Sequence, residues 1–109
     1  MKRRLFLRPE AEVAIAAAFN SSTLRSPEHA SALLIDVDEV LERILAEPRL
    51  YAIRAGRTRR VNLKSVPFAL YFLIEEGHDA LSNQPVEEIV VTLFLHQRQD
   101  FEAARRQTD

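Results

Sequence analysis

Seven consecutive uncharged residues, Phe68-Ala69-Leu70-Tyr71-Phe72-Leu73-Ile74, limit what this chain can become more than any other feature. A run of this length, preceded by the turn signal Ser65-Val66-Pro67, has the pattern of a central strand covered on both faces. The chain has 109 residues, enough for one domain around a single core and too few for two. Apolar residues make up 47% and charged residues 28%, which excludes disordered, collagen-like and membrane-spanning classes.

Cover for the sheet has to come from the first half of the chain. Residues 3–8 form a short strand stopped by Pro9, whose fixed φ suits the first turn of a helix. That helix is expected over Ala11 to Phe19, with Ile15 and Phe19 on one face and Asn20-Ser21-Ser22-Thr23 as its end. Ser26 should cap a second helix that has Pro27 at its first position and Glu28 near the positive end of the dipole. In it Ala30, Leu33, Leu34, Val37, Leu41, Ile44 and Leu45 recur at spacings of three and four, opposite Asp38, Glu39, Glu42 and Arg43. Pro48 marks its end.

Beyond Tyr51 the period falls from 3.6 to 2. Arg59, Val61 and Leu63 alternate with Arg60, Asn62 and Lys64, a half-buried strand with a polar, basic outer side. Residues 75–85 read as a polar loop, and residues 88–97 as a strand again. Ile89, Val91, Leu93 and Leu95 should face one way, and Val90, Thr92, Phe94, His96 and Arg98 the other. Short links between these strands imply an antiparallel meander with a two-helix hairpin packed on one face. The order β-α-α-β-β-β defines an α+β sandwich. Residues 101–109 are left as a short helix or tail.

Several chemistries are excluded by what is missing. There is no cysteine, hence no disulfide and no thiolate site, which suits a reducing cytoplasm. Only Gly56 and Gly77 are glycines, so no phosphate-cradling loop of the nucleotide-binding type can be built. His29, His78 and His96 lack metal-ligand spacing, and neither a metal nor a cofactor is expected. Glu75-Glu76 and Glu87-Glu88 bracket a loop, where carboxylates are normally solvated rather than paired for acid-base work. Ser21-Ser22 has no positioned base nearby. Met1-Lys2-Arg3-Arg4 begins as a signal peptide does, but the apolar run after it is only Leu5-Phe6-Leu7, so no export signal is expected.

Charge is nearly balanced, with 15 basic and 16 acidic residues, but it is unevenly placed. Residues 28–47 carry a net −5, and residues 54–64 carry +5 with no acid at all. The basic stretch is either a strand edge kept from aggregating by its charges or an anion-binding surface. On the second reading Arg60, Asn62 and Lys64 share a face with Thr92, Phe94, His96 and Arg98. If Tyr71 also lies there, a ring joins the cations, a combination that neutralises phosphates and stacks a base.

Five stretches in this order resemble the RelE/ParE superfamily of type II toxin-antitoxin toxins. They are Arg8-Pro9-Glu10-Ala11-Glu12, Leu41-Glu42-Arg43-Ile44-Leu45-Ala46-Glu47-Pro48, Gly56-Arg57-Thr58-Arg59-Arg60-Val61, Val66-Pro67-Phe68-Ala69-Leu70-Tyr71-Phe72 and Leu95-His96-Gln97-Arg98-Gln99-Asp100. Together they span nearly the whole chain, as a single toxin domain over residues 1–109. The last most resembles the ParE branch, which often ends His-x-Arg-Arg-Asp, with Gln99 here in place of the second arginine.

The resemblance implies a bacterial cytoplasmic toxin wrapped and silenced by a cognate antitoxin, with no membrane partner. ParE-type members inhibit DNA gyrase without being hydrolytic themselves, whereas RelE-type members cut mRNA on the ribosome. Cleavage by an internal 2′-hydroxyl needs a general base, a general acid and cations for the charge growing on phosphorus. Arg60, Lys64 and Arg98 could supply cations, but only His96 or Lys64 could move a proton, and the tail after Arg98 holds Phe101 without tyrosine or histidine. The gyrase inhibitor is therefore preferred, with the nuclease and an antitoxin-binding homologue that poisons nothing as alternatives. Candidate contacts with target or antitoxin are Phe6, Ile35, Arg57, Arg59, Arg60, Lys64, Tyr71, His96 and Arg98. An acidic antitoxin segment is expected at the stretch from Arg54 to Lys64.

Overall fold

A computed structural model describes residues 2–108. Strand β1 (Lys2–Leu7) leads into a helical hairpin of α1 (Pro9–Arg25) and α2 (Pro27–Ala46), and a single 3-10 turn at Pro48–Leu50 follows. Strands β2 (Ile53–Ala55), β3 (Thr58–Asn62), β4 (Phe68–His78) and β5 (Pro85–His96) come next, and α3 (Phe101–Thr108) closes the described chain. The protein is α+β. Its five-stranded sheet has the order β1-β5-β4-β3-β2, and the helical hairpin packs on one face, called here the inner face. Strands β2 to β5 form the antiparallel meander. β1 joins beside β5 in parallel, from Lys2↔Val86 to Leu7↔Val91, which makes the sheet mixed.

The uncharged run lies in the middle strand, and Ala69 through Leu73 are all buried. Leu70 and Phe72 meet Leu33, Val37, Val40 and Ile44 of α2 in the inner core, while Ala69 and Tyr71 belong to a second cluster on the outer face. The stripe on α2 is thus rotated from the one expected. Val40 is buried, Leu41 and Leu45 are only half-buried at its margin, and Leu34 is 44% exposed.

Three features also differ. Asn20 to Thr23 do not end α1, because Thr23 donates its hydroxyl to the Phe19 carbonyl (2.9 Å) and leaves the helical ladder intact. The break comes at Ser26, whose extended backbone closes α1 and whose side chain accepts from the His29 N–H at 3.2 Å to open α2. β2 was not anticipated. It pairs with β3 across the two-residue turn Gly56-Arg57, where Gly56 takes φ +55, the left-handed value that a tight hairpin needs at its first central position. Finally, β4 and β5 run on into the expected loop and shorten it to residues 79–84, and Glu75 and Glu76 pair across the strands with Glu88 and Glu87.

One irregularity redirects the last strand. Tyr71 pairs with Leu93 and Phe72 with Val91, so Thr92 is an extra residue, a β-bulge that puts Thr92 and Leu93 on the same side. Before it, Ile89 and Val91 face the helices. After it the phase is reversed, with Phe94 in the inner core and Leu93 and Leu95 in the outer cluster. No helix among the described residues is long and apolar enough to cross a membrane.

Candidate functional site

The outer face is where the basic stretch and the aromatic residues meet. Alternation in β3 turns Val61 and Arg59 inward and Arg60 outward, opposite Tyr71 in register. Tyr71 therefore lies on the same face as Arg60, whose guanidinium carbon is 5.8 Å from the centre of the tyrosine ring and whose Nε–H donates to Asn62 Oδ1 at 3.0 Å. After β5 the chain turns through residues 97–100, held by Gln97 N–H on the Pro67 carbonyl and by Asp100 Oδ1, which accepts from Glu102 N–H (both 2.9 Å). This turn lays Phe101 on Tyr71, with ring centres 4.5 Å apart and planes 18° from parallel. Arg54 stands 5.3 Å from the Phe101 ring. Two guanidinium groups thus flank a stacked aromatic pair, each contact contributing about 0.5–1 kcal/mol where water is near.

Because Phe101 covers it, Tyr71 is only 3% exposed. Its ring has no free face on which a base could stack while α3 is in place. The signal missed in the sequence was Phe101 itself, an aromatic residue in a segment that reads as a short helix or tail.

The other candidates do not gather around Arg60. The bulge carries His96 to the inner side, where it pairs with Phe68, stands edge-on to that ring at 5.1 Å, and accepts the Arg98 N–H on Nδ1 at 3.1 Å. Phe94, expected beside Arg60, likewise stacks on Phe68 at 4.9 Å on the inner side. Arg98 falls in the turn beyond β5 and Lys64 in the turn beyond β3, both exposed, so strand alternation orients neither. Arg59 points inward and donates to the Tyr51 carbonyl at 2.7 Å, which makes it a brace for the segment after α2. Arg57 sits at the tip of the β2–β3 turn, 3.8 Å from Glu75. Phe6, 45% exposed, faces outward from β1, whereas Ile35, 59% exposed, is on α2, so the two lie on opposite layers and do not make one patch.

Two of the four glutamates, Glu87 and Glu88, are strand residues held by arginines, whereas Glu75 stands 3.8 Å from Arg57 and Glu76 is exposed, as expected of a solvated carboxylate. Glu87, buried on the inner side, accepts from Arg3 Nε (3.0 Å), Arg49 Nη1 (3.2 Å) and Arg49 Nη2. Hydrogen bonds from Arg49 and then Arg3 hold its carboxyl down at about 2, and Glu87 in turn raises the Arg49 guanidinium. Glu88 accepts from Arg4 at 3.3 Å. Engaged by these arginines, Glu87 and Glu88 serve the sheet rather than acid-base work. Among the described residues no group of three or more His, Asp or Glu is disposed to hold a metal ion.

The arrangement can do one thing well: present guanidinium groups to an anionic or acidic partner. Neither a protein-family model nor a curated protein matches the chain.

Proposed function

We propose that this chain is a ParE-like toxin of a type II toxin-antitoxin system, acting in the cytoplasm by binding DNA gyrase and neutralised by a cognate antitoxin. The reading rests on the resemblance of the five stretches that run from Arg8 to Asp100. One structural observation favours the gyrase branch over the nuclease: Arg60 and His96 lie on opposite faces of the sheet. Transfer of a proton at a phosphate held by Arg60 needs a base or acid within hydrogen-bond reach of the same atoms. An inhibitor that works by occupying its target needs only the basic surface, which would also attract an acidic antitoxin segment.

The test is inducible expression with and without the neighbouring open reading frame, scoring DNA breaks and message integrity. The expected result is growth arrest with gyrase-dependent breaks, intact messages and rescue by the neighbouring product. Message cleavage on ribosomes in vitro, abolished by Arg98→Ala, would overturn the reading in favour of the nuclease. In the gyrase branch the same variant loses one exposed charge and should weaken action by about 1 kcal/mol, roughly fivefold.

A further inference from the structure

A second feature of the outer face lies beside the aromatic stack. Arg8 at the junction of β1 and α1, Arg57 at the β2–β3 turn and Arg105 on α3 come from three distant parts of the chain and line one cavity of about 140 Å³. Its floor is apolar, formed by Leu73, Leu93 and Phe101. Thr58 lines the wall as well, and its hydroxyl is engaged by no other described residue. Thr92, also in the wall, directs its own hydroxyl to the Tyr71 carbonyl at 3.4 Å.

Three arginines lining one small space bring like charges near one another, which an anion among them would relieve. For Arg8 and Arg57 the acids among the described residues answer this only in part. Glu75 is 3.8 Å from Arg57 and Glu102 is 3.6 Å from Arg105, both pairs exposed enough to be weak. The backbone N–H of Arg8 donates to the Val91 carbonyl at 2.9 Å, but its side chain has neither a hydrogen bond nor an ion pair among the described residues. Guanidinium forks match the oxygens of phosphate two at a time, and donors drawn from three separate elements suit a tetrahedral anion better than a planar carboxylate. The only ring in the wall, Phe101, is already stacked on Tyr71 and flanked by Arg54, so nothing remains to hold a base. Recognition there can only be of the anion.

We infer that this cavity binds a terminal phosphate group, as free phosphate or a phosphate monoester, through Arg8, Arg57 and Arg105 with a further hydrogen bond from the Thr58 hydroxyl. The inference does not depend on the toxin reading.

Inorganic phosphate is titrated into the whole chain at ionic strength held constant with sodium chloride, followed by calorimetry and amide NMR shifts. Saturable binding is expected, with the shifts centred on Arg8, Arg57 and Thr58. Arg8→Gln should weaken it tenfold or more, about the loss expected for one charge-assisted hydrogen bond. Arg57→Gln, at an exposed turn where the fold does not depend on the side chain, should do the same, and Arg25→Gln at the far end of α1 should change nothing. Single-stranded oligonucleotides with a 5′-phosphate or a 5′-hydroxyl separate the sources. Preference for the phosphorylated strand points to a nucleic-acid end, and saturation by inorganic phosphate that neither strand displaces points to a small ligand. Binding that chloride reproduces, that survives both cavity variants, or that the 5′-hydroxyl strand displaces as well as the phosphorylated one would overturn the assignment.

Discussion

Glu87 shows what one side chain does when two arginines reach it from different elements. Arg3 comes from β1, Arg49 from the turn after α2, and Arg3 also donates to the Ala46 carbonyl at 2.7 Å, at the C-terminal end of α2. The carboxyl is held at about 2 in the fold against 4.5 when free, so on acidification the unfolded chain takes up a proton first. The contribution of Glu87 is fully present above 4.5 and is lost as pH falls toward 2. Urea unfolding across that window should lose stability more steeply for the wild type than for Glu87→Gln. Asp79, lowered to about 2 by Lys2 and the Leu81 N–H, acts with the same sign in both proteins and cancels from the comparison. Asp36 is the other telling residue. It is 4% exposed on α2 and accepts the Ser65 N–H at 2.5 Å, which pins the turn between β3 and β4. Asp36→Ala should cost about 1–3 kcal/mol, because it strands that amide, and a wild-type denaturation midpoint would contradict it. The spacing from Leu33 to Val40 places Asp36 on the buried stripe, but nothing local to the sequence shows that its partner is a backbone amide in a distant turn.

Elements were legible in proportion to how far local signals decided them. The caps of α2 were, because Ser26 and Pro27 act within one turn. The end of α1 was not, since Asn20 to Thr23 weaken a helix by only a few tenths of a kcal/mol each, less than packing of α1 on α2 and β5 returns. The bulge at Thr92 left no trace in the sequence. Val90 to Leu95 are all apolar or small, so either phase fits, and the choice is made by pairing with β4. That one residue moved Phe94 and His96 off the expected site. On α2 the corrected stripe makes a clear contrast: Leu33, fully buried, should cost about 2–5 kcal/mol as Leu33→Ala, while Leu34→Ala should stay within about 1 kcal/mol. Equal midpoints for the two variants would return the face to the one read from spacing alone.

At the scale of the whole molecule the uncharged central strand demanded cover on both faces, and the helical hairpin supplies only one. The second cover is α3, which reaches the outer cluster chiefly through Phe101, itself 5% exposed over Tyr71 and beside Ala69, Leu93 and Leu95. A segment that reads as a short helix or tail is thus the outer layer of the sandwich, and it also decides whether the ring of Tyr71 is available. Phe101→Ala removes that cover without touching a backbone hydrogen bond. The loss should approach the lower end of the range for a buried phenylalanine, about 3 kcal/mol, because the site is at the surface and water can enter the gap. A domain of this size holds roughly 5–15 kcal/mol, so the variant should remain folded, with a melting temperature lowered by about 10 °C or more. The chain has two tyrosines and no tryptophan, so tyrosine fluorescence reports the change directly. Tyr51 packs on Phe72 on the inner side and should be unaffected, while Tyr71 becomes open to an added quencher. Greater quenching in Phe101→Ala than in wild type, with unchanged far-ultraviolet dichroism, is the expected outcome. Quenching equal to wild type would mean that the outer face is closed by something other than Phe101.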